Sequence, residues 1–213
     1  MTNLGKSIFV FTLIASNYIN AKPSAGWNFE SDQDGITIYS REHSDGLVEI
    51  RARMFTPTTY SAFLTLLEDT ANVPNWITNV SLSRVIKQIS PTENIVYTQF
   101  SAPWPAKDRD MVTYSQYSHD DIGFTLEIKD APPTSLPKQD GYIRITDVQA
   151  TWTLQKLTNG YSLIEYVAFA DPGGDLPDWL ANKLAKESAR STFEGLREQL
   201  PDYQDRTHPN IVE

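Results

Sequence analysis

Along this chain, apolar and polar residues alternate in short runs more often than they repeat at helical spacing. Ile36–Arg41 alternates directly after an Asp34-Gly35 turn and reads as a strand. In Leu47–Phe55, Val48, Ile50, Ala52 and Met54 fall on one face, and Glu49, Arg51 and Arg53 on the other. That is the pattern of a strand buried on one side. The period changes at Thr56-Pro57, an N-cap followed by proline at the first helical position. Tyr60, Phe63, Leu64 and Leu67 then form the apolar stripe of a helix running to about Asp69. Val73–Ile77 predicts a second, short helix. Strand-like segments follow at Ser83–Ile89, Ile95–Ser101, Asp110–Ser118, Gly123–Lys129, Tyr142–Thr146, Val148–Gln155 and Tyr161–Phe169. Asp120-Asp121, Pro132-Pro133, Gln139-Asp140-Gly141 and Asn159-Gly160 punctuate them, the last being a strong hairpin signal. A final helix is predicted from about Pro177 to Leu200, with Leu180, Leu184, Phe193 and Leu196 near one face and Pro201 as its stop. Residues 204–213 read as a polar tail, loosely held. This order predicts an α+β fold: a curved, mainly antiparallel sheet of about nine strands gripping a long C-terminal helix. A sheet curled round a helix tends to leave a cavity between them.

Residues 1–21 break the pattern. Lys6 is their only charge, Ile8–Ala15 is a short apolar run, and Ala21 precedes Lys22-Pro23. This predicts a secretory signal peptide cleaved near Ala21, and hence export to the periplasm. The run is too short for a comfortable transmembrane helix. The remainder, 22–203, reads as one domain, with no repeat or linker. The 213 residues are 40% hydrophobic and 21% charged, enough for a folded core. The net charge of −9 argues against nucleic acid as a partner and against tight adsorption to anionic membranes. A transient hydrophobic contact with lipid remains compatible with it. The chain has no cysteine, which excludes disulfides, thiolate metal sites and lipid attachment at a cysteine. His43, His119 and His208 lack metal-ligand spacing, and no nucleophile elbow, phosphate loop or dinucleotide fingerprint occurs. No cofactor is expected, and a monomer is.

The most informative stretch is Tyr97–Thr113, YTQFSAPWPAKDRDMVT. A strand runs into two prolines flanking a tryptophan, then a charged turn, then Arg109-Asp110 opening the next strand. Arg109 precedes Met111, Val112 and Tyr114, so its guanidinium is a candidate interior charge, costly unless its donors are paired. It serves either as an anchor for a polar ligand group or as half of a structural ion pair. Trp104 is either packed in a stiff turn, the simpler expectation, or presented to a membrane at a pocket mouth.

Three motifs give the chain a family likeness. They are Val96-Tyr97-Thr98-Gln99-Phe100 leading to Pro103-Trp104-Pro105 and Arg109-Asp110-Met111-Val112, then Gly141-Tyr142-Ile143-Arg144, then Asp171-Pro172-Gly173-Gly174-Asp175-Leu176-Pro177-Asp178-Trp179-Leu180-Ala181-Asn182. In this order and spacing they resemble the START family of lipid-transfer domains, over about residues 27–203. The resemblance implies the helix-grip fold, a hydrophobic tunnel holding one lipid, and a lid made by the last helix. Several relatives carry an acidic residue where Gln99 stands, paired with the arginine at Arg109. Here that position is neutral, so Arg109 pairs elsewhere, with Asp110 and Glu127 as candidates, or awaits an anionic ligand group.

On that basis the predicted ligand contacts are Arg109, Gln99, Tyr114, Trp152 and Tyr166 from the strands, and Leu176, Leu180 and Leu184 from the last helix. Gly173 and Gly174 are the candidate lid hinge, unless they are ordinary loop glycines. Asp175 is the expected cap of the last helix. The function expected is non-covalent binding, and intermembrane transfer, of one lipid or sterol-like molecule. The rivals are an enzyme on the same scaffold acting on a hydrophobic substrate, and a partner-binding domain with a filled core.

Overall fold

A computed structural model describes residues 26–102 and 104–213. The predicted signal peptide lies outside the described residues. The strands are β1 (Asn28–Gln33), β2 (Ile36–Glu42), β3 (Val48–Thr56), β4 (Val80–Ser90), β5 (Glu93–Phe100), β6 (Arg109–His119), β7 (Phe124–Asp130), β8 (Ile143–Arg144), β9 (Thr146–Lys156) and β10 (Ser162–Asp171). The helices are α1 (Tyr60–Glu68), α2 (Val73–Trp76) and α3 (Asp178–Gln199), and a 3-10 turn at Leu200–Tyr203 follows α3.

The sheet has ten strands, nine of them in the path β1-β2-β3-β10-β9-β7-β6-β5-β4, all antiparallel. The two-residue β8 lies off this path and pairs parallel with the start of β6. β1 is the strand that alternation missed: it sits at an edge and its residues are mostly exposed, so no apolar face marks it. The β9–β10 hairpin turns through Asn159-Gly160, with Gly160 at φ +83° and the Tyr161 N–H bonded to Asn159 Oδ1 at 3.1 Å.

β3 shows why the sheet curls inward. Ile50, Ala52 and Met54 are buried, while on the opposite face Arg51 pairs with Glu165 of β10 at 2.6 Å. α1 plugs one end. Its Phe63 meets Phe124 and Trp152 edge-on at 5.7 and 5.8 Å, and Phe193 of α3 stacks on Trp152 at 5.6 Å. This aromatic cluster makes a solid core at the α1 end and leaves the rest of the sheet's inner face to α3.

The helix caps differ from expectation. Thr59, not Thr56, caps α1, its side chain accepting the Ala62 N–H at 3.1 Å, while Thr56 is still in β3, paired with Ser162. Asp175 does not cap α3. Pro177 holds that position without a side-chain bond, and Asp178 supplies the negative charge of the first turn. Residues 204–213 are also packed rather than loose. His208 bonds Glu68 at 2.9 Å, Asn210 reaches the Tyr117 hydroxyl at 3.1 Å, Ile211 is buried, and Glu213 pairs with Lys156.

Candidate functional site

Between the sheet and α3 lies a cavity of about 980 Å³, at the upper end of the size range of ligand sites. Its apolar walls come from Ile50 of β3, Val148, Ala150 and Trp152 of β9, Ala168 of β10, and Leu180, Leu184 and Ala185 of α3. It opens where the exposed lining residues gather: Trp104 and Lys107 between β5 and β6, Thr78 and Asn79 after α2, and Asp175 before α3.

Five of the predicted contacts lie on this wall: Trp152, Tyr166, Leu176, Leu180 and Leu184, and Arg109 joins them at the open end. Trp152 and Tyr166, partners across β9 and β10, stack at 4.2 Å. The Tyr166 hydroxyl has no hydrogen-bond partner among the described residues, and burial pushes its pKa up to about 12. It is therefore a neutral group facing the interior.

Gln99 and Tyr114 do not line the cavity, which corrects the sequence reading. The inner residues of β5 are Asn94, Val96, Thr98 and Phe100, and those of β6 are Arg109, Met111, Thr113, Ser115 and Tyr117. Strand alternation turns Gln99 and Tyr114 to the other face. There Gln99 donates to the Tyr97 hydroxyl at 3.0 Å, and Tyr114 donates to Glu93. That outer face is itself covered. Ile95, Tyr97, Val112 and Ala131 form a second buried cluster with Ile86, Tyr114 and Leu136, under the segment that links β7 to β8. No residue of β5, or of β6 over 109–115, is fully exposed on either face, so polarity did not distinguish inside from outside there.

The buried ion pair of this region is not at Arg109. Asp110, 1% exposed, accepts from Arg144 Nε at 2.7 Å and Nη2 at 2.9 Å. Arg144 also donates to the Leu136 and Pro137 carbonyls, fastening the covering segment. Hydrogen bonding to Asp110, which outweighs burial, raises the Arg144 pKa further. Arg109 pairs with neither Asp110 nor Glu127. Its Nε donates to the Pro172 carbonyl at 3.3 Å and its Nη1 to the Lys107 carbonyl at 2.6 Å, and no carboxylate pairs with it among the described residues. An acidic side chain at position 99 would face away from Arg109, because Gln99 shares its face with Asp110.

Trp104 is 92% exposed at the mouth, contrary to the packed turn expected, and Trp179 in the first turn of α3 is 70% exposed. Gly173 and Gly174 have φ of +65° and +73°. A Cβ on Gly174 would lie 2.8 Å from Ile143 Cδ1, so the loop before α3 sits tightly on β8. Gly174 borders the cavity and Gly173 does not. Apart from Arg109, the inward polar residues of β5 and β6 escaped the sequence reading, which sought larger side chains. The signal available was the run of small polar residues at alternate positions: Asn94 and Thr98 on β5, Thr113 and Ser115 on β6.

The family model described as START domain matches residues 20–205. The crystal structure of a STAR-related lipid transfer protein fragment from Xanthomonas axonopodis superposes with a TM-score of 0.76 at 30% identity, covering 83% of this chain and 99% of that one. An uncharacterised protein of Pseudomonas aeruginosa is 28% identical over 178 residues, covering 80% of this chain and 85% of the relative. The human phosphatidylcholine transfer protein is 23% identical over 193 residues, covering 88% and 89%.

Proposed function

Because the chain belongs to the START domain family, we propose that it binds one lipid non-covalently between the sheet and α3 and carries it between membranes. The observation that carries this reading is the cavity of about 980 Å³, walled mainly by aliphatic and aromatic side chains. Removing a lipid's apolar surface from water stabilises the complex by about 25 cal/mol per Å². Relatives described as lipid transfer and phosphatidylcholine transfer proteins support the same reading.

Arg109 is the anchor for the ligand's charged end. A guanidinium carries about five N–H donors, and among the described residues only Nε and Nη1 are engaged, both by carbonyls. The free donors suit a carboxylate or phosphate group. Trp104 and Trp179 make the transient membrane contact, since indoles favour the interface and both stand exposed, Trp104 at the cavity mouth and Trp179 in the first turn of α3. The loop with Gly173 and Gly174 is the hinge on which α3 lifts. Export and removal of residues 1–21 place this work in the periplasm, and the N-terminal sequence of protein from a periplasmic fraction tests that point.

The central test is native mass spectrometry of the mature chain after purification and after delipidation and exposure to fatty acids, phospholipids and sterols. A monomer carrying a single lipid is expected. A chain that stays empty against the whole panel overturns the reading.

A further inference from the structure

The cavity wall is not uniform. Opposite the aliphatic side chains of β3, β9 and α3, the inner face of β5 and β6 presents Asn94, Thr113 and Ser115. Asn94 and Ser115 stand across from each other in the β5–β6 ladder, and Thr113 is the next inward residue of β6. Asparagine is depleted in strands, and a hydroxyl or carboxamide on an inner face needs a partner that valine or isoleucine would not.

Among the described residues, none of these three side chains makes a hydrogen bond. Asn94 Oδ1 is sealed from solvent without a partner. Thr113 is only 4% exposed. Buried polar groups in native proteins are almost always paired, with protein, ordered water or ligand. Other buried polar groups of this fold follow that rule: Ser162 donates to the Thr58 carbonyl at 2.9 Å, and Asp110 is held by Arg144. Arg53 Nε, Thr65 Oγ1 and Trp76 Nε1 are also buried without a hydrogen bond among the described residues, but they are scattered over β3, α1 and α2, whereas these three side chains sit together on the cavity wall.

Its position along β6 says what it reads. Ser115 is six positions and Thr113 four positions along β6 from Arg109, or roughly 14–20 Å of extended strand. That is far beyond the ester oxygens next to a phospholipid phosphate, and it lies along the body of an extended acyl chain.

We propose that Asn94, Thr113 and Ser115 form a second polar subsite that selects an anionic amphiphile bearing a neutral oxygen, a hydroxyl or carbonyl, in the middle of its chain. This rests on the reading that such a molecule enters the cavity with its charge at Arg109. The three residues supply one carboxamide and two hydroxyls, able both to donate to and to accept from that oxygen. The wall that faces them across the cavity contacts hydrocarbon.

Oleic and ricinoleic acids test the subsite directly, since they differ by one mid-chain hydroxyl. Their affinities are measured by calorimetry on the delipidated chain and on the Thr113→Val and Ser115→Ala variants. The expected result is that ricinoleic acid binds about tenfold more tightly than oleic acid, the worth of one satisfied buried hydrogen bond. The preference for ricinoleic over oleic acid should fall in both variants. Equal affinities in the unaltered chain overturn the subsite, with water then satisfying the three side chains, and leave the lipid-binding reading standing. A preference that survives both substitutions also overturns it. If neither acid binds, the anchoring role of Arg109 falls, and the subsite with it.

Discussion

Among the described residues, the Arg109 guanidinium donates only to carbonyl oxygens, those of Lys107 and Pro172, and no carboxylate pairs with its charge. Arg109→Met keeps the bulk of the stem and removes the donors. It should weaken binding of a lipid with an anionic end roughly ten- to hundredfold, the worth of a hydrogen bond to a charged group, and leave an uncharged apolar ligand unaffected. Competition binding with matched charged and neutral lipids checks this, and an equal loss for both would mean that Arg109 only shapes the mouth. Asp110, one residue on, behaves differently because it points the other way. Asp110→Ala strands the Arg144 guanidinium in a buried setting and should cost about 3–5 kcal/mol of stability, seen as a lower urea midpoint. The sequence identified a charge of unusual burial at the Arg-Asp pair but assigned it to the wrong residue. Alternation says that Arg109 and Asp110 face opposite ways, and not which way is inside. The partner of Asp110, Arg144, lies on β8, inside the strand predicted at 142–146, but nothing local to that segment announces its parallel pairing with the start of β6.

Element order was readable because most strands keep one clean face and the turns between them carry glycine, asparagine or paired prolines. Helix starts were less readable, since Thr56 and Thr59 both offer a capping hydroxyl and only the length of β3 decides between them. The faces of β5 and β6 were not readable. Their outer side is a filled apolar cluster and their inner side a wall with polar members, the reverse of the usual pattern of a half-exposed strand. At the level of helix packing, Gly195 of α3 was equally silent. Glycine inside a helix costs about 1 kcal/mol relative to alanine, yet here a Cβ would come within 2.3 Å of the Trp76 carbonyl oxygen. The position lets α3 lie directly on the end of α2. Gly195→Ala should therefore destabilise the chain by about 1–3 kcal/mol through forced separation of the two helices, despite its better helix propensity. A thermal melt decides the sign: a raised midpoint would mean that α2 yields and the contact is soft.

For the whole molecule, the sign of its charge sets how it meets a membrane. The net charge is −9, so an anionic bilayer repels the approaching protein, and adsorption rests on apolar contact. Trp104 is exposed at the cavity mouth, where a lipid would have to leave or enter, and Trp179 is exposed in the first turn of α3, four residues after the mouth residue Asp175. Two consequences follow, and they separate electrostatic from hydrophobic docking. Salt shortens the Debye length from about 30 Å at 0.01 M to about 8 Å at 0.15 M, so raising it screens the repulsion. Transfer of a fluorescent lipid to anionic vesicles should then speed up across that range, while transfer to neutral vesicles changes little. Trp104→Ala combined with Trp179→Ala should slow transfer to both vesicle types without changing affinity for the lipid in solution, because neither side chain is needed to close the apolar walls. Stopped-flow transfer measured at both ionic strengths reads all four combinations. Transfer that slows with salt would mean that local basic groups such as Lys107 dominate docking over the net charge. A double variant that transfers at the original rate would remove the tryptophans from the membrane contact.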